Sequence, residues 1–314
     1  MRRTLGLAIT AAVIASTPAL AEGMPPDIAA RVATIGRVID VPKTAAIYAP
    51  MHQKAPFSGI KMTRDIKYGP AERNRLDVFA AEGAAGARPV LIYVHGGGFM
   101  RGDKTAPNSP FYDNVAVWAA RNGLVGVNMT YRLAPHSIWP SGPQDMAAAV
   151  AWVKANIADQ GGDPARVYLM GSSAGANHVA SYVAFPEYHA APSGGLAGAI
   201  LLSGSPFDLS VFDNMKAYAP YFGADTSKYP GLSPTPGLSK AQTALMVVYA
   251  ALDPPGIERE SINLIDALCK AQRCPAKVFL KTHNHISIAQ AIGTKDTELS
   301  DQLLAFMKVG RPTN

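Results

Sequence analysis

The chain is poor in the features that mark several specialised classes of protein. Only 17% of its 314 residues are charged, and the net charge of +6 is not gathered into any run of Lys and Arg. That pattern reads as a soluble surface with scattered charge, not as a nucleic-acid footprint. No stretch reaches the roughly 18 consecutive apolar residues that a membrane span needs. There is no internal repeat and no low-complexity tract. Cysteine is almost absent, with Cys269 and Cys274 alone, and two thiols cannot close a structural zinc site. What the chain has in quantity is apolar residues, 48% of the total. That is enough for a large core, in one big α/β domain or two ordinary ones.

The N-terminus has the plan of a secretory signal. Arg2 and Arg3 form a basic region, residues 5–14 an apolar stretch too short to cross a bilayer, and Pro18-Ala19-Leu20-Ala21 an A-x-A site. Residues 1–21 are therefore read as a signal peptide, and the mature protein as periplasmic or secreted. The cysteines agree with an oxidising compartment. Five positions apart in an exported protein, they are expected to form a disulfide, contributing about 2 kcal/mol in the chain-entropy model. Two unrelated free thiols are the rival reading.

Residues 22–62 lack a clear period and read as an arm with some helix over 26–38, contributing to a cap over the site. From residue 63 onward the pattern alternates. Strands are predicted at 63–68, 75–80, 89–94, 124–131, 167–170, 198–202, 244–249 and 276–281, with helices at 114–122, 144–158, 176–185, 257–270 and 299–307. Strands alternating with helices imply a largely parallel sheet covered on both faces, an α/β architecture. Residues 206–240, rich in Pro, Gly and aromatics with weak periodicity, are predicted to form a cap insertion in a catalytic domain of 63–314.

Chemistry concentrates around Gly171-Ser172-Ser173-Ala174-Gly175. This G-x-S-x-G pentapeptide follows the buried strand 167–170 and precedes a helical segment, the strand–turn–helix setting of a nucleophile elbow. Ser173 is the candidate nucleophile; the bland rival is that the serines merely cap the helix. The amide after the nucleophile, that of Ala174, is a candidate oxyanion donor. Upstream, a buried strand runs into His95-Gly96-Gly97-Gly98, where glycines let main-chain N–H groups approach a tetrahedral oxyanion. A serine hydroxyl also needs a base and an acid to orient that base, in the chain order Ser, acid, His. Asp253 falls just past the strand 244–249, at the carboxyl end where parallel sheets place their sites. Asp266 lies on an amphipathic helix, and Asp208, Asp213 and Asp225 fall in or beside the cap. The base is His283 or His285 in the loop after the strand 276–281, and only one of the two is expected to face Ser173. His52, His136, His178 and His189 have no such placement and are read as surface or satisfied core residues.

His95-Gly-Gly-Gly-Phe99, Tyr131-Arg-Leu-Ala-Pro135, Gly171-Ser-Ser-Ala-Gly175 and Leu252-Asp-Pro254 together resemble the α/β-hydrolase superfamily. The resemblance is to its hormone-sensitive-lipase-like carboxylesterases and feruloyl-esterase or arylformamidase-like enzymes, over roughly residues 63–310. It implies Gly97 and Gly98 as oxyanion donors beside Ala174, a Ser173–Asp253–His285 triad, and no metal or other cofactor. His95, Ser172 and His283 become supporting positions, and Tyr131, Arg132, Asp145 and Trp152 scaffold. Ser172 stands where many hormone-sensitive-lipase-like members carry Asp, and the double histidine looks more like the feruloyl-esterase branch. The implied activity is hydrolysis of small-molecule carboxylic esters through an acyl-enzyme, with no nucleic-acid partner. Aryl formamide cleavage is the enzymatic alternative, and a catalytically silent binding module on the same fold the non-enzymatic one.

Overall fold

The computed structural model describes residues 23–84 and 86–309. The predicted signal peptide, 1–21, lies outside the described residues. Eight strands form one sheet: β1 (Ile60–Lys67), β2 (Arg75–Ala81), β3 (Arg88–Val94), β4 (Val125–Met129), β5 (Gly162–Ser172), β6 (Gly198–Leu202), β7 (Leu245–Leu252) and β8 (Ala276–Asn284). Their order is β1-β2-β4-β3-β5-β6-β7-β8. The β1–β2 and β2–β4 pairs are antiparallel, and every other neighbouring pair is parallel. Around the sheet lie α1 (Pro26–Ile35), α2 (Val41–Tyr48), α3 (Asp113–Arg121), α4 (Ser141–Asn156), α5 (Ala174–Ala184) and α6 (Met215–Phe222). They are followed by α7 (Tyr229–Leu232), α8 (Thr235–Leu238), α9 (Pro255–Lys270), α10 (Ser287–Gln290) and α11 (Glu298–Phe306).

The alternation of side chains along a strand explains why helices cover both faces. In β3, Val90, Ile92 and Val94 face a core shared with Met146 and Val150 of α4, Val179 of α5 and Leu264 of α9. Leu91 and Tyr93 face the opposite core, with Trp118 of α3 and Leu303 of α11. The central strands β3, β4 and β6 are buried along their whole length, so β3 and β6 read as continuous apolar runs.

Three expectations need revision. The arm helix stops at Ile35, where Gly36 takes φ 74°, and a second helix follows, its N-cap Asp40 accepting from the Lys43 amide. The segment 206–240 is not a structureless connection: it contains α6, α7 and α8. Two of these span only four residues, too short for a helical period to show. Finally, β8 runs on to Asn284, three residues past the predicted end, so His283 belongs to the strand and the loop begins at His285.

Candidate active site

Parallel pairing sets the carboxyl ends of β5, β6, β7 and β8 side by side. Ser172 pairs with Leu202, Leu202 with Val248, and Leu252 with Asn284. The residues that follow these ends are Ser173, Ser203, Asp253 and His285. Three of the four were singled out from sequence, and the strand order brings their loops to one edge of the sheet.

Ser173 holds φ 54° and ψ −124°, a conformation unfavourable for a residue with a side chain. It occupies the N-cap position of α5, yet its side chain makes no capping hydrogen bond. The strained turn therefore does not use this hydroxyl for what serine usually does at such a position. The Ser173 amide donates to the Leu202 carbonyl at 2.9 Å, anchoring the turn to the neighbouring strand end. Ser172 points elsewhere, its hydroxyl 2.8 Å from that of Tyr93. A Cβ on Gly175 would lie 2.4 Å from the Val94 carbonyl oxygen, so glycine is what lets α5 start against β3.

Asp253 is fully buried, and its carboxylate accepts three hydrogen bonds. Oδ1 is 2.9 Å from His285 Nδ1, while Oδ2 accepts from the Ser203 hydroxyl at 2.6 Å and the Ala250 amide at 2.8 Å. A carboxylate only accepts, so the His285 proton sits on Nδ1 and Nε2 is left as an acceptor. His283 turns to other partners, Ser287 Oγ at 3.1 Å and Asp296 Oδ2 at 2.9 Å. The Asp296 contact lacks hydrogen-bond geometry. Ligand atoms of His283, Asp296 and Glu298 lie within 4.8 Å of one another. Among the described residues, the Ser173 hydroxyl is hydrogen-bonded to neither imidazole; the pair that meets directly is Asp253 and His285. Such a contact is commonly long without substrate and tightens in the Michaelis complex.

The glycine loop lies against the elbow. A Cβ on Gly96 would be 3.0 Å from that of Ser173. Gly97 has φ 126°, and a Cβ there would collide with the Arg101 carbonyl oxygen at 1.9 Å. Among the described residues, the amides of Gly97, Gly98 and Ala174 donate to no other main-chain group, so they are available as donors. His95 braces this loop from beneath. Its Nδ1 lies 2.6 Å from the Gly96 carbonyl, and its ring stacks on Tyr131 at 4.4 Å. The Tyr131 hydroxyl in turn donates to the His95 carbonyl. Burial pushes the His95 imidazole down to about 4, so it is neutral and donates from Nδ1. Arg132 is held by Asp145, which accepts from both its amide and its Nε; Trp152 is half-buried against the core.

The reading of His178 as a satisfied core residue fails. It is completely buried among Phe99, Tyr131 and Tyr221, but among the described residues neither ring nitrogen has a hydrogen-bond partner. Burial, then the neighbouring His95, push it down to about 3, so it stays neutral. Cys269, in the last turn of α9, forms a disulfide with Cys274 just beyond it. Sequence reasoning passed over Ser203, which takes φ 41° and donates to the Asp253 carboxylate. Its only signal is a serine directly after the apolar strand 198–202.

Residues 74–225 match the sequence profile of the carboxylesterase family. Esterase LipQ of Mycobacterium tuberculosis is 32% identical over 201 residues, 61% of this chain and 47% of its own. Para-nitrobenzyl esterase of Bacillus subtilis is 34% identical over 122 residues, 35% of this chain and 24% of its own. The chain thus matches less than half the length of these curated relatives. Among solved structures, a bacterial heroin esterase superposes with a TM-score of 0.68 at 22% identity, covering 92% of this chain and 98% of that one. Esterase B from Lactobacillus rhamnosis gives 0.69 at 17% identity, covering 90% and 94%. The fold is that of an α/β-hydrolase. Over residues 74–225 the chain is similar to the carboxylesterases.

Proposed function

We propose that this protein is an exported serine hydrolase that cleaves small-molecule carboxylic esters. His285 Nε2 takes the Ser173 proton as Oγ bonds to the ester carbonyl carbon. The carbonyl oxygen becomes an oxyanion between the amides of Gly97, Gly98 and Ala174. The C–O bond to the alcohol breaks, and the leaving oxygen takes the proton from His285. Water then enters by the same route: His285 removes its proton as its oxygen bonds to the acyl carbon, the acyl–serine bond breaks, Ser173 Oγ takes the proton back from His285, and the acid leaves. Asp253 holds the imidazole in the required tautomer throughout.

The observation that carries this reading is the serine held at φ 54° with its hydroxyl unspent on capping, on the sheet edge that also carries the Asp253–His285 pair. Export rests on the N-terminal sequence and agrees with the disulfide; periplasmic and secreted locations both fit. The test is labelling by a fluorophosphonate, followed by peptide mass mapping. The label should sit on Ser173 and vanish in Ser173→Ala, along with several orders of magnitude of turnover on p-nitrophenyl esters. Labelling elsewhere, or a Ser173→Ala variant with near wild-type rates, defeats the assignment. N-formyl anilines run beside the esters separate ester from formamide preference.

A further inference from the structure

The segment before the sheet does something the cap expectation did not foresee. Val32 of α1 and Ile47 and Tyr48 of α2 are buried in a cluster with Phe111 and Ala291, against which Leu252, the residue before Asp253, also packs. From this seat the segment reaches the loops of both the acid and the base. Arg37, between α1 and α2, donates through Nε to the Asp253 main-chain carbonyl at 2.8 Å, and its terminal nitrogen pairs with Glu258 in the first turn of α9. Thr44 of α2, fully buried, accepts from Asn284 Nδ2 at 3.2 Å and donates to the Asp40 carbonyl at 2.8 Å. Asn284 directly precedes His285, and its Oδ1 accepts from the amides of Ile286 and Ser287 at 3.1 and 2.9 Å. The turn that aims His285 is therefore closed by the Asn284 side chain together with the Ser287 hydroxyl, which meets the Asn284 backbone, and Asn284 is tied to α2. A third tether joins His52 Nε2 to the Gln290 carbonyl at the end of α10, at 2.7 Å.

We infer that residues 37–52 form a strap that sets the spacing of the acid and base loops, and that Arg37 and Thr44 are positioning residues for the Asp253–His285 pair. This rests on the reading of Asp253 and His285 as acid and base. The physical reason is that the two loops leave neighbouring strands and have one direct bond between them, from His285 Nδ1 to Asp253 Oδ1. A single segment holding both loops limits how far they drift apart. Drift of a few tenths of an ångström misaims the imaginary line from Nε2 to the nucleophile, and positional errors near 1 Å cost on the order of a hundredfold in rate.

The experiment compares Arg37→Ala, Thr44→Val, Thr44→Ser and the Arg37→Ala/Thr44→Val double variant with the intact protein. Steady-state kinetics on a p-nitrophenyl ester are measured beside fluorophosphonate labelling rates. Each single loss should lower kcat about three- to thirtyfold with KM within about twofold, and the labelling rate should fall in parallel. Thr44→Ser keeps the accepting oxygen and should restore kcat. Loss of the second tether should cost more in the absence of the first, because either one alone limits the drift. Unchanged kcat in both single variants overturns the inference. So does a raised KM with unchanged kcat, which would make the arm a wall of the substrate path. Should Thr44→Val fail to fold by circular dichroism, Arg37→Ala and Thr44→Ser decide, since Arg37 is exposed and serine keeps the bond. Asp253→Asn is run alongside: if it stays active, the underlying acid assignment has failed, whereas an inactive Asp253→Asn with unaffected arm variants sinks the strap alone.

Discussion

The most discriminating single change is Asp253→Asn, because the donors around the carboxylate decide which way an amide must lie. Oδ2 of Asp253 receives the Ala250 main-chain N–H and the Ser203 hydroxyl, and Oδ1 faces His285 Nδ1. The Ser203 hydroxyl can rotate and accept instead of donating, but the Ala250 N–H is fixed by the backbone and only donates. An asparagine must therefore present its oxygen to Ala250 and its NH2 to His285. An NH2 group donates, so Nδ1 has to accept, and the single proton of the neutral imidazole moves to Nε2. That nitrogen then has no lone pair for the Ser173 proton. The chain stays isosteric and every buried polar atom keeps a partner, so folding should be little affected. Turnover should fall roughly 10⁴-fold, the size seen when a triad acid is replaced in this way, which is about 5 kcal/mol of transition-state stabilisation. The assay is kcat/KM on a p-nitrophenyl ester with thermal unfolding of the same sample as control. A loss below tenfold in a folded protein refutes the tautomer argument and removes Asp253 as the orienting acid. A loss accompanied by unfolding refutes the claim that the amide is accommodated.

Three further predictions follow from particular contacts. Gly97→Ala places a Cβ on the Arg101 carbonyl oxygen in a backbone held at φ 126°; kcat/KM should drop about 10²–10³-fold through the displaced donors, and near wild-type kinetics would exclude this loop from the oxyanion site. His95 and His178 are pushed down to about 4 and about 3 by burial, so below the ordinary histidine value near 6.5 the unfolded chain binds more protons than the folded one. Their stabilisation is complete above about pH 6.5 and is lost as pH falls toward 4. His178→Leu should remove up to about 1.4 kcal/mol per pH unit from the slope of denaturation free energy in that window, and an unchanged slope would contradict it. Replacing Cys269 and Cys274 by serine should cost about 2 kcal/mol of stability and leave kcat unchanged; a matching loss of activity would tie the disulfide to the site, and intact mass with and without reductant verifies the bond itself.

The parts of this fold that were legible in the sequence are those with a local cause. The central strands β3 and β6 are apolar because both their faces are buried, so Val90 through Val94 and Ala199 through Leu202 stood out as runs. The elbow was visible because strand, strained turn and helix follow one another within a few residues. The ends of elements were less so: β8 passes two polar residues, Thr282 and His283, before it stops, and periodicity alone had closed it earlier. The helices of 206–240 were hidden by their brevity and by prolines at their starts. Arg37, Thr44 and Ser203 were hidden for another reason: each acts on a partner far along the chain, and no spacing rule connects Thr44 to Asn284 or Ser203 to Asp253.

The two strained serines show how the sheet makes a site out of such separate pieces. Ser173 and Ser203 both follow the ends of adjacent strands, and both have positive φ, 54° and 41°. Each costs conformational energy, of order 1–3 kcal/mol, that only surrounding structure can offset. In both, the offset comes from the strand next in the sheet: the Ser173 amide donates to Leu202 at the end of β6, and the Ser203 amide to Val248 of β7 at 2.8 Å. At the next position the support is local instead: the Ala250 amide of β7 donates to Asp253, just past the end of the same strand, and Asp253 holds His285 after β8. Strands β6 and β7 therefore fix the residues beyond the ends of β5 and β6, and the order β5-β6-β7-β8 is itself what lines up hydroxyl, supporting hydroxyl, carboxylate and imidazole. A fold with the same strands in another order would keep every motif in the sequence and lose the constellation, because the bonds that offset the strain at Ser173 and Ser203 exist only between strands that are neighbours.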